Sequence, residues 1–411
     1  MPLSRSIISF FFPAGVMVGV SALALRSEAA PMLLALHGFV PLIYSAAALL
    51  AWRFHSTRML FAAIALAVAD AGLRAAAGDT GATVVVRDLA AILLPANLVA
   101  LSFLKEKGFL SRNTVIAGAV LAAQAALALL LCRPELQAAS FLEIQFLPPD
   151  ALRWSGAPQT AVLIFIASAL FLAARFALLR NPVESGSFWA LLTCLAAFSS
   201  ARPGVWLMIA GAVLAVSVVE NSYVMAFHDQ LTGLPARRAF YRMASMLPEH
   251  YALAVADVDH FKRFNDTYGH EIGDQVLRMV ASRMARVTGG GKAFRWGGEE
   301  FVILFPGKSA AGALEHLELL RQLVETSSFV LRGRDRGKHT AEDRGRGNSR
   351  VHEVWVTVSI GVAEGLRHDD LHNVMAAADG AVYTAKNAGR NRVETAAPAS
   401  GQTPLPAAIS R

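Results

Sequence analysis

Cysteine is scarce in this sequence, and several common binding motifs are missing. Cys132 and Cys194 are the two cysteines among 411 residues, and both lie within or at the end of apolar runs. They form no Cys-x-x-Cys metal pattern and give no basis for a disulfide. Lys292 follows three glycines, but the spacing is not that of the phosphate-binding G-x-x-x-x-G-K-S/T loop. Zinc modules and P-loop nucleotide sites are therefore not expected.

Charged residues are also few, at 17%, whereas apolar residues make up 55% of the chain. This composition is too apolar for an average soluble protein, and the imbalance lies almost wholly in the first half. The formal net charge of +7 is compatible with nucleic-acid binding, but no helix-turn-helix, zinc or RNA-binding signature accompanies it. Basic residues between the apolar runs, together with one basic stretch, account for the charge. We expect no nucleic-acid partner.

Eight long apolar runs predict an integral membrane region over residues 1–222, interpreted as a sensor that contacts the lipid bilayer. The runs are about 6–25, 32–52, 59–77, 84–104, 113–132, 159–179, 187–201 and 204–222. Most approach the roughly 20 residues, about 30 Å of helix, that a bilayer crossing requires. The first run is not followed by a cleavage pattern, so we do not expect a signal peptide. The seventh run is short, and counts of seven or six spans stay open.

The charges between the runs predict the orientation of this membrane region. Basic residues follow the second, fourth and sixth runs: Arg53, Arg58, Lys105, Lys107, Arg112 and Arg180. The long loop after the fifth run carries acidic residues instead: Glu135, Glu143 and Asp150. Because basic loops stay on the cytoplasmic side, both termini are predicted to be cytoplasmic, in a multi-pass protein of a bacterial inner membrane.

Polar residues inside the predicted spans give little further information. Asp70 and Arg74 are four residues apart in the third run and can pair on one helix face. Ionisable residues at membrane depth indicate a functional site. His37 in the second run has no second histidine at ligand spacing. A hydrogen bond within the bundle is therefore the expected role of His37, and neither metal nor haem is predicted.

The segment Phe294–Phe301, Phe-Arg-Trp-Gly-Gly-Glu-Glu-Phe, is the most informative part of the second half. Strand-like apolar runs at 292–296 and 301–305 meet there, which predicts a β-hairpin with the two glycines at its tip. Glycines let the backbone approach a ligand, and adjacent carboxylates suit a divalent metal bound to a polyphosphate. For this tetrad alone, an ordinary turn with solvated acids is the alternative.

Two further segments carry charged residues that suit the same site. An apolar strand at 251–256 ends at Asp257, which can supply a second carboxylate from a neighbouring strand. Lys386 and Arg390 are four residues apart on a predicted helix and its C-terminal end, from which both can reach a polyphosphate. Cations at that spacing are usually solvated, so the pattern indicates a phosphate site only in combination with the other segments.

Strands and helices alternate through this half of the chain. Strands are predicted at 251–257, 292–296, 301–305 and 354–362, and helices at 236–247, 271–287, 310–326 and 371–388. The predicted fold is thus an all-α polytopic membrane domain followed by an α/β domain, an α+β sandwich with a largely antiparallel sheet. Residues 332–352 are basic and glycine-rich, which predicts a solvated loop, with contact to anionic lipid headgroups as the alternative.

In this order and spacing, the segments resemble the GGDEF family of diguanylate cyclases from about Phe227 to Arg392. Asp229–Pro235 (Asp-Gln-Leu-Thr-Gly-Leu-Pro) is similar to the family's entry signature, and Val358–Val362 is similar to its late core strand. The resemblance implies a fold similar to nucleotidyl cyclase and polymerase palm domains.

The resemblance also implies domain bounds and an activity. The GGDEF domain would occupy 227–395, after a signalling helix or linker at 213–228 and before a disordered tail at 396–411. Two GTP molecules, one on each subunit of a homodimer, would form cyclic di-GMP with release of two pyrophosphates. Two Mg²⁺ or Mn²⁺ ions per site would support the reaction. The effectors that read the product are not predicted.

Roles carry over residue by residue where this sequence matches the family. The implied metal ligands are Asp257, Glu299 and the backbone carbonyl of Val258, and the implied catalytic residues are Glu299, Glu300 and Lys262. The implied GTP-binding residues are Asn265 and Asp274 at guanine, Lys262, Lys386 and Arg390 at phosphate, the backbone of His260 and Phe261, and Gly297 and Gly298 where the nucleotide enters. An aspartate at guanine accepts two hydrogen bonds that adenine does not offer.

Two stretches depart from the family's pattern. Thr288–Gly291 stands in place of the Arg-x-x-Asp at which product inhibits many members, so no inhibition through that site is expected. Ala236 stands where the entry signature has asparagine, which predicts an altered turn. We also expect Asp259 to support the site rather than bind metal, and Tyr383 to pack against the sheet.

The main alternative is a degenerate GGDEF domain that binds GTP or cyclic di-GMP as a signalling module. The intact Gly-Gly-Glu-Glu-Phe segment, Asp257 and Lys386 argue against it. A transporter with a cyclase-like regulator has only the multi-span half in its favour.

Overall fold

The computed structural model describes residues 3–28, 30–106, 108–132, 146, 148, 152, 155, 157–331 and 352–397. The features predicted outside those residues are the basic loop up to residue 351, the tail from residue 398, the residues Lys107, Glu135, Glu143 and Asp150, and the side chain of His37. The chain divides into two compact units, Met1–Tyr223 and Val224–Arg411.

The described residues of the first unit form helices joined by turns and short irregular segments. Its helices are α1 (Leu3–Phe11), α2 (Ala14–Ala24), α3 (Ala30–Ala35), α4 (Val40–Arg53), α5 (Thr57–Ala75), α6 (Thr80–Ser102), α7 (Arg112–Leu131), α8 (Gln159–Leu179), α9 (Pro182–Phe198) and α10 (Pro203–Phe227), which ends beyond the unit boundary. Side-chain oxygens of Asp79, Ser111 and Asn181 cap α6, α7 and α9. These caps satisfy backbone N–H groups that have no partner within the helix.

Four of the described helices are long and apolar enough to cross a membrane: Gly81–Ser102 within α6, α7, α8 and α10. The last six predicted runs each overlap one helix, but the first two do not form continuous helices. Pro13 separates α1 from α2 because it lacks the backbone N–H that a helix needs. The 3₁₀ segment Leu36–Phe39 separates α3 from α4. The number of membrane spans stays a prediction.

Ion pairs with a buried carboxylate lie within this unit. Asp70 and Arg74 pair at 2.7 Å on α5, which confirms the predicted contact. Glu184 on α9 is fully buried and pairs with Arg58 at 3.2 Å and with Arg175 at 2.9 Å. A buried charge is tolerated only with such partners. The Glu184 cluster therefore ties α5, α8 and α9 together.

The second unit combines a five-stranded sheet with helices. Its helices are α11 (Arg237–Ala244), α12 (Phe261–Tyr268), α13 (His270–Met284), α14 (Ala310–Glu325) and α15 (Leu371–Asn387). Its strands are β1 (His250–Val258), β2 (Lys292–Gly297), β3 (Glu300–Pro306), β4 (Phe329–Leu331), β5 (His352–Val354), β6 (Val358–Leu366) and β7 (Val393–Thr395). The main sheet has the order β2-β3-β1-β6-β7, antiparallel except for the β6–β7 pair. This confirms the predicted α/β class with a largely antiparallel sheet.

The central strand β1 is covered on both faces. Ala252, Ala254 and Ala256 share one buried cluster with residues of α13 and α14. Leu253 and Val255 share another with residues of α11 and α15. Successive side chains of a strand point to opposite faces, so both halves of the alternation must be apolar when helices lie on either side. The uniform apolar character of β1 follows from this arrangement.

Several short elements differ from the sequence prediction, among them strand β4, which has three residues and was missed. Helix α12 was not predicted, because its eight residues are too few to show a clear apolar period. The predicted strand 354–362 is in fact two, β5 and β6, which are separated at 355–357. Strand β7 has only three residues and was missed.

Candidate active site

The β2–β3 hairpin presents the Gly-Gly-Glu-Glu segment at its tip, as predicted. Gly297 lies opposite Glu300 in the antiparallel register. Gly298 has φ +47°, a left-handed conformation that favours glycine. A Cβ added at either glycine would have open space around it. The tip is therefore exposed backbone that a ligand can approach closely.

Sheet register brings Asp257 beside this hairpin. Asp257 lies opposite Glu300 across the β1–β3 pair, and the N–H of Val258 donates to the carbonyl of Glu299 at 3.3 Å. Lys386 on α15 approaches from the other side, with its Nζ 2.8 Å from Asp257 Oδ1. The structure thus assembles three carboxylates and one cation from segments far apart in sequence.

Burial and neighbouring negative charges raise the pKa values of the carboxylates at this site. Burial raises the pKa of Asp257, although the hydrogen bond and charge of Lys386 oppose that rise. Burial, and then the negative charge of Asp257, raise the pKa values of Glu299 and Glu300. Asp379 adds a further negative charge that acts on Asp257 and Glu300. One lysine does not balance this charge, so the site favours additional cations.

The donor set fits a hard divalent cation. Mg²⁺ prefers oxygen ligands and is usually bound by one or two carboxylates together with substrate phosphates. Asp257 and Glu299 supply such carboxylates at one edge of the sheet. Within the described residues, no group of three or more His, Cys, Asp and Glu side chains is already arranged around a metal position.

The corner between α12 and α13 holds the two residues implied at guanine. Asn265 Oδ1 is buried and has no hydrogen-bond partner among the described residues. Gly273 lies directly against it, since a Cβ there would overlap Asn265 Oδ1. Asp274 follows Gly273 and is exposed. An unsatisfied amide oxygen next to an exposed carboxylate can accept hydrogen bonds from a planar N–H-bearing ligand.

Helix α12 offers backbone rather than side chains at its start. His260 precedes it with φ +57°, and its side chain makes no capping hydrogen bond. The Phe261 ring is buried and stacks on Phe264, with ring centroids 6.3 Å apart. The first N–H groups of a helix have no partner within it and attract anions. This arrangement suits the predicted backbone role of His260 and Phe261, while Lys262 is exposed.

The second implied phosphate-binding segment is a tight turn after α15. Gly389, Arg390 and Asn391 all have left-handed φ values, of 112°, 64° and 49°. The N–H of Arg390 donates to the carbonyl of Ala385 at 2.9 Å, which closes the helix end. The turn follows the helix end that carries Lys386.

The family model described as diguanylate cyclase, GGDEF domain, matches residues 226–392. This segment is a GGDEF domain. The diguanylate cyclase VdcA of Vibrio cholerae is 39% identical over 172 residues, which cover 41% of this chain and 46% of that protein. This chain therefore spans less than half of the length of VdcA.

The matches to two further relatives cover a larger share of those proteins. The probable diguanylate cyclase DgcF of Escherichia coli K12 is 29% identical over 269 residues, 60% of this chain and 78% of that protein. That match is longer than residues 226–411, so it extends upstream of the GGDEF domain. The coiled coil and GGDEF domain of DgcB from Caulobacter crescentus, solved with c-di-GMP, is 35% identical and covers 43% of this chain and 90% of that chain, with a TM-score of 0.37.

A buried arginine in the GGDEF domain was missed by sequence reasoning. Arg295 is 7% exposed and lies over the Phe301 ring at 5.1 Å. Its Nε and Nη1 atoms have no hydrogen-bond partner within the part of the chain that the structure describes. Burial lowers its pKa, and the charges of Asp229, Asp274 and Glu299 oppose that effect. A cation in an otherwise apolar strand, two residues before the glycines, was the available signal.

Tyr383 contradicts its sequence prediction. It is 68% exposed and does not pack against the sheet. The buried face of α15 consists of small and β-branched residues: Val374, Ala378, Ala381, Val382 and Ala385. Tyr383 shares the opposite, polar face with Asp379 and Lys386, because these three follow a helical spacing of four and three. The prediction was wrong because aromatic character was taken as evidence of burial.

The two departures from the GGDEF signatures lie at the start of α11 and in a glycine turn. Ala236 precedes α11 as its N-cap residue and makes no side-chain cap. In the stretch from Thr288, Gly289 and Gly290 have φ values of +67° and +78°. A Cβ at Gly289 would overlap the ring of His316, and one at Gly291 would lie 2.6 Å from the Phe305 ring. This turn is closely packed as a glycine turn.

Proposed function

We propose that this protein is a membrane-anchored diguanylate cyclase that forms cyclic di-GMP from two molecules of GTP. The observation that carries the proposal is the β1–β3 register, which sets Asp257 against the Glu299-Glu300 pair at an open glycine hairpin. The match of residues 226–392 to the GGDEF family model and the similarity of the chain to curated diguanylate cyclases support the same activity.

Recognition of GTP follows from the α12–α13 corner. Asp274 would accept hydrogen bonds from the guanine N1–H and amino group, and the unsatisfied Asn265 oxygen would add another acceptor. Adenine offers no matching pair of donors at that edge, so an unpaired buried oxygen would disfavour ATP. Lys386, Arg390 and Lys262, with the backbone N–H groups at the start of α12, would hold the triphosphate.

The chemistry is a phosphoryl transfer in which positioning is the main task of the protein. Mg²⁺ or Mn²⁺, held by Asp257, Glu299 and the carbonyl of Val258, would neutralise charge on the phosphates; we propose two ions per site. Each 3′-hydroxyl attacks the α-phosphorus of the other GTP, a phosphodiester bond forms, pyrophosphate leaves and one proton is released per bond. Burial and neighbouring charge raise the pKa of Glu300, which suits it to accept or direct that proton.

A homodimer is part of this proposal. One chain presents one guanine corner and one hairpin tip, and the cyclic product needs two nucleotides in opposite orientation. A two-fold dimer would place a second bound GTP against the first. The exposed hairpin tip leaves room for that approach.

We also propose location and regulation. The four long apolar helices support anchoring in a membrane, and GTP would reach the domain on the cytoplasmic side of a bacterial inner membrane. The helical unit would act as a sensor. Inhibition through an Arg-x-x-Asp site is not expected, because the glycine turn at 288–291 packs against His316 and Phe305 and has neither charge.

The deciding experiment measures product formation by membranes that contain the full-length protein, given GTP and Mg²⁺. Wild type should release cyclic di-GMP and two pyrophosphates, and a Glu299→Gln variant of equal abundance should release none. Binding of GTP without product, under conditions that activate the protein by enforced dimerisation, would instead support a degenerate nucleotide-binding module.

A further inference from the structure

Asp259 lies two residues beyond Asp257, is 6% exposed, and has both carboxylate oxygens engaged. Oδ1 accepts a hydrogen bond from Ser359 Oγ at 2.6 Å. Oδ2 accepts one from Thr357 Oγ1 at 2.7 Å and one from the backbone N–H of Asn391 at 3.1 Å. No lysine or arginine pairs with it among the described residues. Hydrogen bonds to an ionised acceptor are roughly twice as strong as neutral ones, so this carboxylate is a rigid anchor.

Asn391 is held equally firmly on its other side. Its Nδ2 donates to Glu325 Oε1 at 2.7 Å, and its Oδ1 accepts from Arg321 Nη1 at 2.7 Å. Arg321 also pairs with Glu318 and Glu325 on the same helix, α14. The backbone of Asn391 is therefore tied to the end of β1, and its side chain is tied to α14.

These contacts enclose the phosphate-binding segment of the proposed site. Lys386 contacts Asp257, and Asn391, one residue after Arg390, contacts Asp259. Two tethers thus connect alternate residues at the end of β1 to the end of α15 and the turn that follows.

We infer that Asp259 and Asn391 form a positioning pair, which holds the Lys386–Arg390 segment in register with the metal-binding carboxylate Asp257. Neither residue would touch the nucleotide or the metal. The inference rests on the proposed function for its substrate, a nucleoside triphosphate with a divalent cation. A displacement of about 1 Å at a reacting centre can cost about 100-fold in rate, so this register matters for the site.

Two substitutions test the pair from its two sides. Asp259→Asn removes the negative charge of the side chain and replaces one acceptor oxygen by an N–H donor, so the bonds from Thr357, Ser359 and Asn391 lose the strengthening that a charged acceptor gives. Asn391→Gly keeps the backbone N–H and suits the left-handed φ of 49°, but it removes both side-chain bonds to α14. Asp370→Asn is the matched control, because Asp370 caps the opposite end of α15.

Binding, rather than turnover, is the primary measurement. Full-length protein in detergent is titrated with a GTP analogue that has a methylene group in place of the α,β-bridging oxygen. The titration is repeated with GMP. The Mg²⁺ concentration is also varied, to give the midpoint at which Mg²⁺ supports binding of the analogue. Asp259→Asn and Asn391→Gly should each weaken binding of the analogue by about 10- to 100-fold, the range expected for loss of one hydrogen bond to a charged group, while the affinity for GMP and the Mg²⁺ midpoint stay unchanged. Asp257→Asn should raise the Mg²⁺ midpoint, and Asp370→Asn should change nothing.

Several results would overturn the inference that Asp259 and Asn391 act as a positioning pair. If Asp259→Asn raised the Mg²⁺ midpoint as Asp257→Asn does, Asp259 would be a metal ligand. Equal losses of GMP and analogue binding would show a general structural role, and wild-type affinity in both variants would show none. If wild type bound the analogue but made no cyclic di-GMP, the proposed activity would be refuted, and the binding measurements would still test the Asp259–Asn391 pair. A wild type that binds no analogue would refute both.

Discussion

Replacing Gly273 by alanine is expected to separate substrate recognition from stability. A methyl group at this position of α13 would overlap Asn265 Oδ1 and lie 3.0 Å from Asn265 Cγ and 3.3 Å from the Phe261 ring. The obstructing atom is the end of a flexible side chain, so Asn265 can rotate away while the backbone stays in place. Its oxygen would then leave the guanine corner beside Asp274.

Two effects of opposite sign act on the unfolding free energy of Gly273→Ala. Alanine in a helix interior is favoured over glycine by about 1 kcal/mol, and overpacking typically costs about 1–3 kcal/mol. Because the clash is relieved by one side chain, we expect a net change in unfolding free energy of no more than about 1 kcal/mol. Loss of one hydrogen bond to guanine, about 1.4 kcal/mol, corresponds to a roughly tenfold rise in the KM for GTP.

The assay compares the KM for GTP with the thermal unfolding midpoint of the same preparations. Gly380→Ala is the matched control, because it adds a methyl group to a helix position with open space around it. That control should keep the wild-type KM. A wild-type KM in Gly273→Ala would refute the argument, since Asn265 would then have no role at guanine.

Three further predictions concern other parts of the domain. The pKa of Glu300 is raised in the folded state, so the ionised carboxylate opposes folding at pH values above the unfolded-state pKa of about 4.3. Thermal unfolding of Glu300→Gln should therefore show a higher midpoint than wild type at neutral pH, and this difference should disappear in acid. The same variant should form no product. Ala236→Asn should supply the missing cap of α11 and stabilise the domain by about 1 kcal/mol in chemical denaturation, with unchanged activity. Installing Arg at Thr288 and Asp at Gly291 should destabilise the domain by about 1–3 kcal/mol through contact with the Phe305 ring, and product titration should show no inhibition.

Much of the fold was predictable because its main elements have strong local patterns. The hairpin at Gly297-Gly298 and the helices after residues 270, 310 and 371 were recognisable from turn residues and apolar spacing. The short helix α12 and the strand β7 were not, since so few residues give no reliable period. The first two apolar runs also showed that hydropathy alone does not establish helix continuity, because Pro13 interrupts one of them.

The candidate site was only partly predictable. The carboxylates and cations were recognisable as types at a characteristic spacing, but the burial of Arg295 over the Phe301 ring was not, because it depends on tertiary packing. The exposure of Tyr383 was likewise decided by which face of α15 meets the sheet. Local sequence carries no direct record of such contacts.

The amino-acid sequence by itself determined the chemical inventory: an apolar helical half, a glycine hairpin with two acids, and the cations for a polyphosphate. Only the tertiary structure decided which of these groups meet. The contacts of Asp257 with Lys386 and of Asp259 with Asn391 join positions more than a hundred residues apart. They exist because β1 lies between β3 and β6 in the sheet while α15 packs across β1 and β6. Sheet register and helix packing are properties of the whole core, and these fix distances that no local propensity can specify.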